Sequence, residues 1–259
     1  MTSPDIQHIT SRDNPLLKDL RKLAQDPGAY RKLGKLWLEG DHLCRAALAR
    51  GVRPAVAVFA ESFWPSVAPE WVRSAGKTIV VADALLAGVS GLESPAPMGF
   101  VLDLPARPEL LADAPTVVLD RLQDAGNVGS ILRSAAAFGF TQVVALKGTA
   151  ALWASKVLRA GMGAHFGLRL IEGVGIDALE ALQVPLIATS SHRGDWLHKA
   201  RLPHPCAWLM GHEGQGVSVE LEARATHHIR IAQPGGEESL NVAAAAGICL
   251  HASAASAKA

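Results

Sequence analysis

Residues that could bind or activate a substrate concentrate in three glycine-containing segments of the second half of the chain. The first segment, Leu119–Gly139, reads LDRLQDAGNVGSILRSAAAFG. Asn127 lies in the polar stretch after an apolar run and is expected to cap a helix, and Arg133 follows inside an otherwise apolar helical pattern. Arg133 is either an ordinary residue of an exposed helix face or a cation available to a phosphate.

The second segment, Trp208–Ser218, reads WLMGHEGQGVS. An apolar strand runs into a turn that contains three glycines and Glu213. This turn either only connects a strand to a helix or leaves its backbone N–H and C=O groups open to a ligand.

The third segment, Ile229–His251, is a strand and turn followed by an alanine-rich helix. Ser239 is expected to cap this helix. Asn241, in the first turn, is either a capping residue or a ligand contact, because an asparagine there competes with the helix backbone.

Short apolar runs that alternate with helical patterns position these segments and predict an α/β architecture. In the second half, the expected strands are 116–120, 142–146, 185–189, 207–210 and 228–232. The expected helices there are 128–138, 152–160, 176–182 and 240–254. In the first half, the expected strands are 35–39, 54–60, 78–82 and 99–104, and Asn14 before Pro15 predicts a helix start. The prolines of residues 103–115 indicate a linker.

Other kinds of site lack support in the sequence. The three cysteines lie far apart and form no CxxC pair, and the ten histidines form no HExxH motif, so no metal site is predicted. The glycines near Gly76 and Gly161 do not have the spacing of phosphate-binding loops. The sequence shows no signal-peptide or membrane-spanning pattern, so a cytoplasmic location is expected.

The three segments together resemble motifs one, two and three of the SpoU (TrmH-like) family of RNA 2′-O-methyltransferases. The resemblance is carried by NxGxxxR, LMGHEGQGVS and IAQPGGEESLNVAAAAG, in the family's order. The first half is similar to the substrate-binding domain of such enzymes, through NPLLKDLRKL, LWLEGDHLCRAAL and SPAPMG. The resemblance implies an RNA-binding domain over residues 1–104, a linker over 105–114 and a methyltransferase domain over 115–259.

The resemblance also implies a fold and a chemistry that the residue spacing does not reveal. It implies an α/β domain with a deep trefoil knot, a homodimer whose active sites are completed by the neighbouring subunit, and S-adenosylmethionine as cofactor. The residues implied to shape the site or act in methyl transfer are Asn127, Arg133, Glu213, Ser239 and Asn241. Those implied to hold the cofactor are Thr189, Met210, Gly211, Ile231 and Leu240. The expected substrate is ribosomal RNA, with transfer RNA as an alternative.

Some positions depart from the family pattern. Ala125 stands where the family has Pro, His212 where Asn, Ser, Ala or Pro is common, and Ala243 where Ser is frequent. Ala232–Gln233 replaces a frequent Pro-Met pair. These differences concern the shape of the cofactor loop, since the residues implied in the chemistry are all present.

Charge distribution favours a nucleic-acid partner although the net charge is only +1. Residues 12–35 contain seven Lys or Arg against three Asp, and residues 125–171 contain no acidic residue. Clustered cations are typical of phosphate-binding surfaces, although an ordinary solvated surface is the alternative. The predicted RNA-binding residues are Arg12, Lys18, Arg21, Lys22, Arg31, Lys32 and Arg159. A non-catalytic RNA-binding or ribosome-assembly protein and a small-molecule-binding α/β protein remain competing hypotheses.

Overall fold

The computed structural model describes residues 6–190, 193–235 and 239–256. The strands in chain order are β1 (Ile6–Ile9), β2 (Lys35–Glu39), β3 (Val56–Ala60), β4 (Lys77–Val81), β5 (Met98–Asp103), β6 (Thr116–Leu119), β7 (Gln142–Leu146), β8 (Arg169–Val174), β9 (Leu186–Thr189), β10 (Asp195–Trp196), β11 (Ala207–Met210) and β12 (His227–Arg230). The helices are α1 (Pro15–Gln25), α2 (Ala29–Leu33), α3 (Asp41–Ala49), α4 (Pro69–Ser74), α5 (Asp83–Ala87), α6 (Ala125–Ala137), α7 (Ser155–Gly161), α8 (Val219–Ala223) and α9 (Val242–Ser256).

The chain divides into two compact units. The first comprises the chain up to Ala106 together with Trp153–Phe166, and the second comprises Arg107–Leu152 with the chain from Gly167 onward. The segment around α7 groups with the first unit because α7 packs against β2 and α1. No helix in the described ranges is both long and apolar enough to cross a membrane.

The first unit is built on a mixed sheet with the strand order β1-β4-β3-β5-β2. Strands β1, β4 and β3 are parallel, whereas β5 pairs antiparallel with both β3 and β2. Helix α1 begins where expected, since the side chain of Asn14 accepts a hydrogen bond from the N–H of Leu16 at 2.9 Å and Pro15 occupies the first turn. Its leucines at 17, 20 and 23 are buried, which leaves the basic side chains on its outer faces.

The second unit is built on a parallel sheet with the strand order β10-β12-β9-β11-β6-β7-β8. Its inner strands are short apolar runs buried on both faces, as parallel sheets require. The predicted α/β class is therefore confirmed. Because Leu119 pairs with Met210 and Ile229 pairs with Thr189, the carboxyl ends of β6, β11, β9 and β12 lie along one edge of the sheet. That edge is where open parallel sheets bind ligands.

Helix α9 closes one face of this sheet. It packs against α6 and β11, and the indole Nε1 of buried Trp208 donates to the Ser253 hydroxyl at 2.9 Å. The predictions that Asn127 caps α6 and that Ser239 caps α9 are both wrong. Helix α6 begins at Ala125 and is capped by Asp124, and the expected helix over 176–182 is a 3-10 turn over Ile176–Ala181.

Candidate active site

A cavity of about 870 Å³ opens at the carboxyl edge of the parallel sheet. One wall is the glycine-rich loop 211–217 that follows β11. The lining also includes Thr189 and Ser190 at the end of β9, Ile229 and Ile231 at the end of β12, and Leu240 before α9. The predicted cofactor residues Thr189, Gly211, Ile231 and Leu240 therefore lie together around one space, which has the size of a small-molecule site.

The first residue of the loop has to be glycine. A Cβ atom on Gly211 would lie 2.0 Å from the backbone nitrogen of Val217 and 2.1 Å from the carbonyl carbon of Gly216. The loop folds back this closely because the backbones of His212 and Gly216 exchange two hydrogen bonds, of 2.9 and 2.8 Å. The His212 ring nitrogen Nδ1 then accepts from the N–H of Gly214 at 3.0 Å, which further fixes the loop.

A chain of side-chain hydrogen bonds joins the three motif segments beside this loop. The Glu213 carboxylate accepts from Asn127 Nδ2 at 3.3 Å and from the N–H of Asp124 at 3.2 Å. Asn127 Oδ1 accepts in turn from Asn241 Nδ2 at 2.9 Å. Asn241 Oδ1 accepts from the N–H groups of Ala243 and Ala244, at 2.9 and 3.2 Å, and thereby caps α9. Asn241, not Ser239, is thus the capping residue.

The two ends of this chain fix its direction. A carboxylate such as Glu213 only accepts hydrogen bonds, and the N–H groups at the start of α9 only donate them. Each residue between them must therefore donate at one atom and accept at the other, which the side-chain amides of Asn127 and Asn241 do. An aspartate at either position lacks the donor, and an alanine lacks both groups. The requirement for asparagine at both positions follows from this geometry.

The same contacts perturb Glu213. Partial burial by itself raises the pKa of its carboxyl group, but hydrogen bonds from its own N–H, from Asn127 and from the N–H groups of Asp124 and Gln123 outweigh that effect. The pKa of Glu213 is therefore lowered, and the side chain is a carboxylate at neutral pH.

Three comparisons with known proteins bear on this geometry. The sequence model of the SpoU rRNA methylase family matches residues 114–251. The chain belongs to this family. It is 30% identical over 251 residues to the 23S rRNA (guanosine(2553)-2′-O)-methyltransferase RlmP of Bacillus subtilis, covering 95% of this chain and 98% of that protein. It is 32% identical over 259 residues to an uncharacterised tRNA/rRNA methyltransferase of Synechocystis, covering 95% and 93% of the two chains.

A solved structure agrees with the sequence comparison. The S-adenosylmethionine-bound rRNA methyltransferase of Sinorhizobium meliloti superposes with a TM-score of 0.82 at 27% identity, covering 96% of this chain and 97% of that one. The resemblance inferred from the three motifs is thereby confirmed.

The remaining predicted SpoU residues are distributed around the cavity, not gathered within it. Glu213 and Ser239 line the cavity, whereas Asn127 and Asn241 act on it through their hydrogen bonds to Glu213 and α9. Met210 is fully buried in β11 and does not line the cavity. Arg133 is exposed on α6, outside the lining, and within the described residues no hydrogen bond or ion pair engages its guanidinium.

The predicted RNA-binding residues lie in the first unit. Arg12, Lys22 and Lys32 are exposed, as are Lys18 and Arg31. Lys18 forms a solvent-exposed ion pair with Asp13 at 3.1 Å, which leaves it available to other anions.

Two of the predicted RNA-binding arginines are less accessible. Arg21 is half-buried, and its Nη1 donates to the backbone carbonyl of Arg12 at 3.4 Å. Arg159 is also half-buried, donates to the Ser155 hydroxyl and lies 3.9 Å from the buried carboxylate of Glu39. Arg159 is therefore partly neutralised by its own surroundings.

Sequence reasoning missed two residues that contact the loop. Asp120 and Arg121 follow β6 directly, and their side chains bond to the backbone of Ser218 and to the side chain of Gln215. The available signal was a carboxylate ending a buried parallel strand, a position at the ligand-binding edge of such a sheet.

Proposed function

We propose that this protein transfers a methyl group from S-adenosylmethionine to a ribose 2′-hydroxyl of ribosomal RNA. The observation that carries the proposal is the hydrogen-bond chain from Glu213 through Asn127 to Asn241, which joins the three SpoU motifs at the mouth of a cavity of cofactor size. Ribosomal RNA is favoured over transfer RNA as the substrate because RlmP, which is similar over nearly the whole chain, acts on 23S rRNA.

The lining of the cavity fits the cofactor. Ile229, Ile231 and Leu240 offer apolar surface for an adenosyl group, and the loop 211–217 offers backbone polar groups. Glu213 adds negative charge, which suits a ligand that carries a sulfonium and an ammonium. When bound, S-adenosylmethionine supplies an electrophilic methyl group on a good leaving group, so the chain's own residues have only to orient the 2′-oxygen and handle its proton.

Arg133 is proposed to act on the RNA. Its guanidinium is a cation that is free of described partners, so it can stabilise negative charge on the 2′-oxygen and orient a phosphate. A guanidinium is a poor base, so the proposed role of Arg133 is electrostatic stabilisation and not proton abstraction. Asn127 and Asn241 are proposed to hold the three motif segments in register.

A homodimer is proposed as the active form. Arg133 lies outside the cavity lining, so an active site that includes Arg133 and the cavity needs either the RNA or a second copy of the chain to bring them together. The exposed face of α6 around Arg133 carries the small residues Ser130 and Ala137, and that of α9 carries Ala244 and Ile248. Faces of small and apolar residues can pack closely against a symmetric copy.

The finer features implied by the resemblance are also retained as proposals. These are a substrate-binding domain over residues 1–104, a methyltransferase domain over 115–259, a cytoplasmic location and a C-terminal trefoil knot. The strand order supports the knot. In the order β12-β9-β11, strand β9 separates β12 from β11, yet helix α9, which follows β12 in the chain, packs back on β11.

The decisive test is methyl transfer itself. Ribosomal RNA from cells with and without the gene is mapped for 2′-O-methylation, and purified protein is assayed on the unmethylated RNA with labelled S-adenosylmethionine. We expect one site to be lost without the gene and restored in vitro. An unchanged map would contradict the proposal, and failure to bind S-adenosylmethionine in calorimetry would favour the non-catalytic hypothesis.

A further inference from the structure

Asp120 is a buried carboxylate at the ligand-binding edge of the parallel sheet, and only 2% of its surface is exposed. Its Oδ2 accepts from the N–H of Ser218 at 2.7 Å, where the glycine-rich loop ends. Its Oδ1 accepts from Arg121 Nε at 3.0 Å. A carboxylate this deeply buried is tolerable because charged and backbone donors surround it.

Arg121 holds an unusual backbone conformation. Its φ is 60°, in the left-handed region that residues other than glycine seldom adopt. The conformation is held by the hydrogen bond from its N–H to the Thr149 hydroxyl at 3.1 Å, and its side chain lies over Gly148. Such conformations persist only where their surroundings enforce them, and they concentrate at functional sites. Here the result is that Arg121 Nη1 reaches Gln215 Oε1 at 3.0 Å.

The glycine-rich loop is therefore held at two points by the two residues that follow β6. Arg121 holds its middle at Gln215, and Asp120 holds its end at Ser218. The loop contains three glycines between positions 211 and 216, and glycine loses more backbone entropy on ordering than any other residue.

We propose that Asp120 and Arg121 are positioning residues that pre-organise the loop 211–217 for cofactor binding. This inference rests on the proposed function, because it takes S-adenosylmethionine as the ligand of the cavity. A loop that is already ordered costs the ligand less on binding. The pair thus contributes to affinity without touching the cofactor.

The test compares calorimetric Kd values for S-adenosylmethionine among Asp120→Asn, Gln215→Ala and the double variant. Asp120→Asn keeps the size and one acceptor oxygen but loses the charge that pairs with Arg121. We expect Kd to rise about tenfold in Asp120→Asn and about threefold in Gln215→Ala. The double variant should bind no more weakly than Asp120→Asn, because an unanchored Arg121 no longer holds Gln215.

The matched control is Glu220→Gln, which removes one negative charge from the adjacent helix α8 at an exposed ion pair with Arg224. It should bind the cofactor as the wild type does. The assay also separates KM from kcat: weakened positioning raises the KM for S-adenosylmethionine and leaves kcat at saturation unchanged.

The outcomes distinguish the inference from its premise. A lower melting temperature with an unchanged Kd would show a merely structural role and overturn the inference. Additive effects of the two substitutions on Kd would show that Asp120 and Gln215 act independently, and would also overturn it. If Asp120→Asn does not fold, Arg121→Gly decides instead, because glycine tolerates the positive φ while removing both side-chain contacts. An unchanged Kd in that variant overturns the inference. Failure of the wild type itself to bind S-adenosylmethionine would contradict the proposed function.

Discussion

Asn241 performs two separable tasks, and substitutions at this position can measure both. Alanine removes the acceptor for the N–H groups of Ala243 and Ala244 and the donor to Asn127. Loss of an N-cap costs about 1 kcal/mol. Loss of a partly exposed hydrogen bond adds about 0.5 kcal/mol. We therefore expect Asn241→Ala to lower the free energy of unfolding of the second unit by about 1.5 kcal/mol.

Asn241→Asp keeps the capping oxygen and lacks only the donor to Asn127. It should retain the cap, which the helix dipole reinforces, while its carboxylate faces the oxygen of Asn127. We expect hydrogen exchange at the N–H groups of Ala243 and Ala244 to accelerate about fivefold in Asn241→Ala and little in Asn241→Asp. Both variants should transfer methyl groups more slowly, because both break the link to Asn127.

Asn14→Ala is the matched control. Asn14 caps α1 through the same side-chain contact, in the first unit. Its replacement should lower the free energy of unfolding by about 1 kcal/mol through loss of the cap and leave the affinity for S-adenosylmethionine unchanged. The reasoning is refuted if Asn241→Asp destabilises α9 as much as Asn241→Ala does, or if Asn241→Asp retains wild-type methyl transfer.

Four further outcomes are expected. Gly211→Ala should weaken S-adenosylmethionine binding by at least tenfold in calorimetry, since the added Cβ collides with the loop backbone. The control Gly214→Ala should bind nearly normally, because its Cβ meets only the His212 ring at 3.9 Å. Equal affinities of the two variants would contradict this reasoning. Arg133→Ala should keep its melting temperature and cofactor affinity but lose methyl incorporation, and near wild-type activity would exclude the proposed role. Because the pKa of Glu213 is lowered in the folded protein, its contribution to stability is fully present above the ordinary value of 4.5 and is lost as pH falls through the folded pKa. The difference in free energy of unfolding between wild type and Glu213→Gln, measured by urea unfolding from pH 7 to pH 3, should therefore shrink in acid. A constant difference would count against the hydrogen-bond chain. Affinity for ribosomal RNA should fall steeply with salt, and Lys22→Ala should reduce the slope of log K against log salt by about 1; a flat response would count against RNA as the ligand.

The sequence predicted the inner strands well but missed three of the four edge strands in the described part of the chain. The inner strands β6, β7, β9 and β11 were expected nearly at their observed bounds, because strands buried on both faces are continuous apolar runs. The strands that were missed, β1, β8 and β10, each lie at the edge of a sheet in the described chain. The edge strand β2 was expected at its observed bounds because it is a largely apolar run. The strands β1, β8 and β10 contain polar residues, so their composition carries little signal and only pairing with a distant strand identifies them as strands.

The sequence by itself indicated most of the candidate site residues, and the tertiary structure decided which contacts they make. Motif spacing was sufficient to single out Asn127, Glu213 and Asn241 and to indicate the family. It could not assign the helix caps to Asp124 and Asn241, or show that Asp120 holds a loop 98 residues away. The caps are local hydrogen bonds, but more than one polar residue near each helix start could form them, so spacing alone does not select one. The hydrogen bond from Ser218 to Asp120 is different, because it joins segments that follow β11 and β6 and forms only when those strands lie side by side in the sheet.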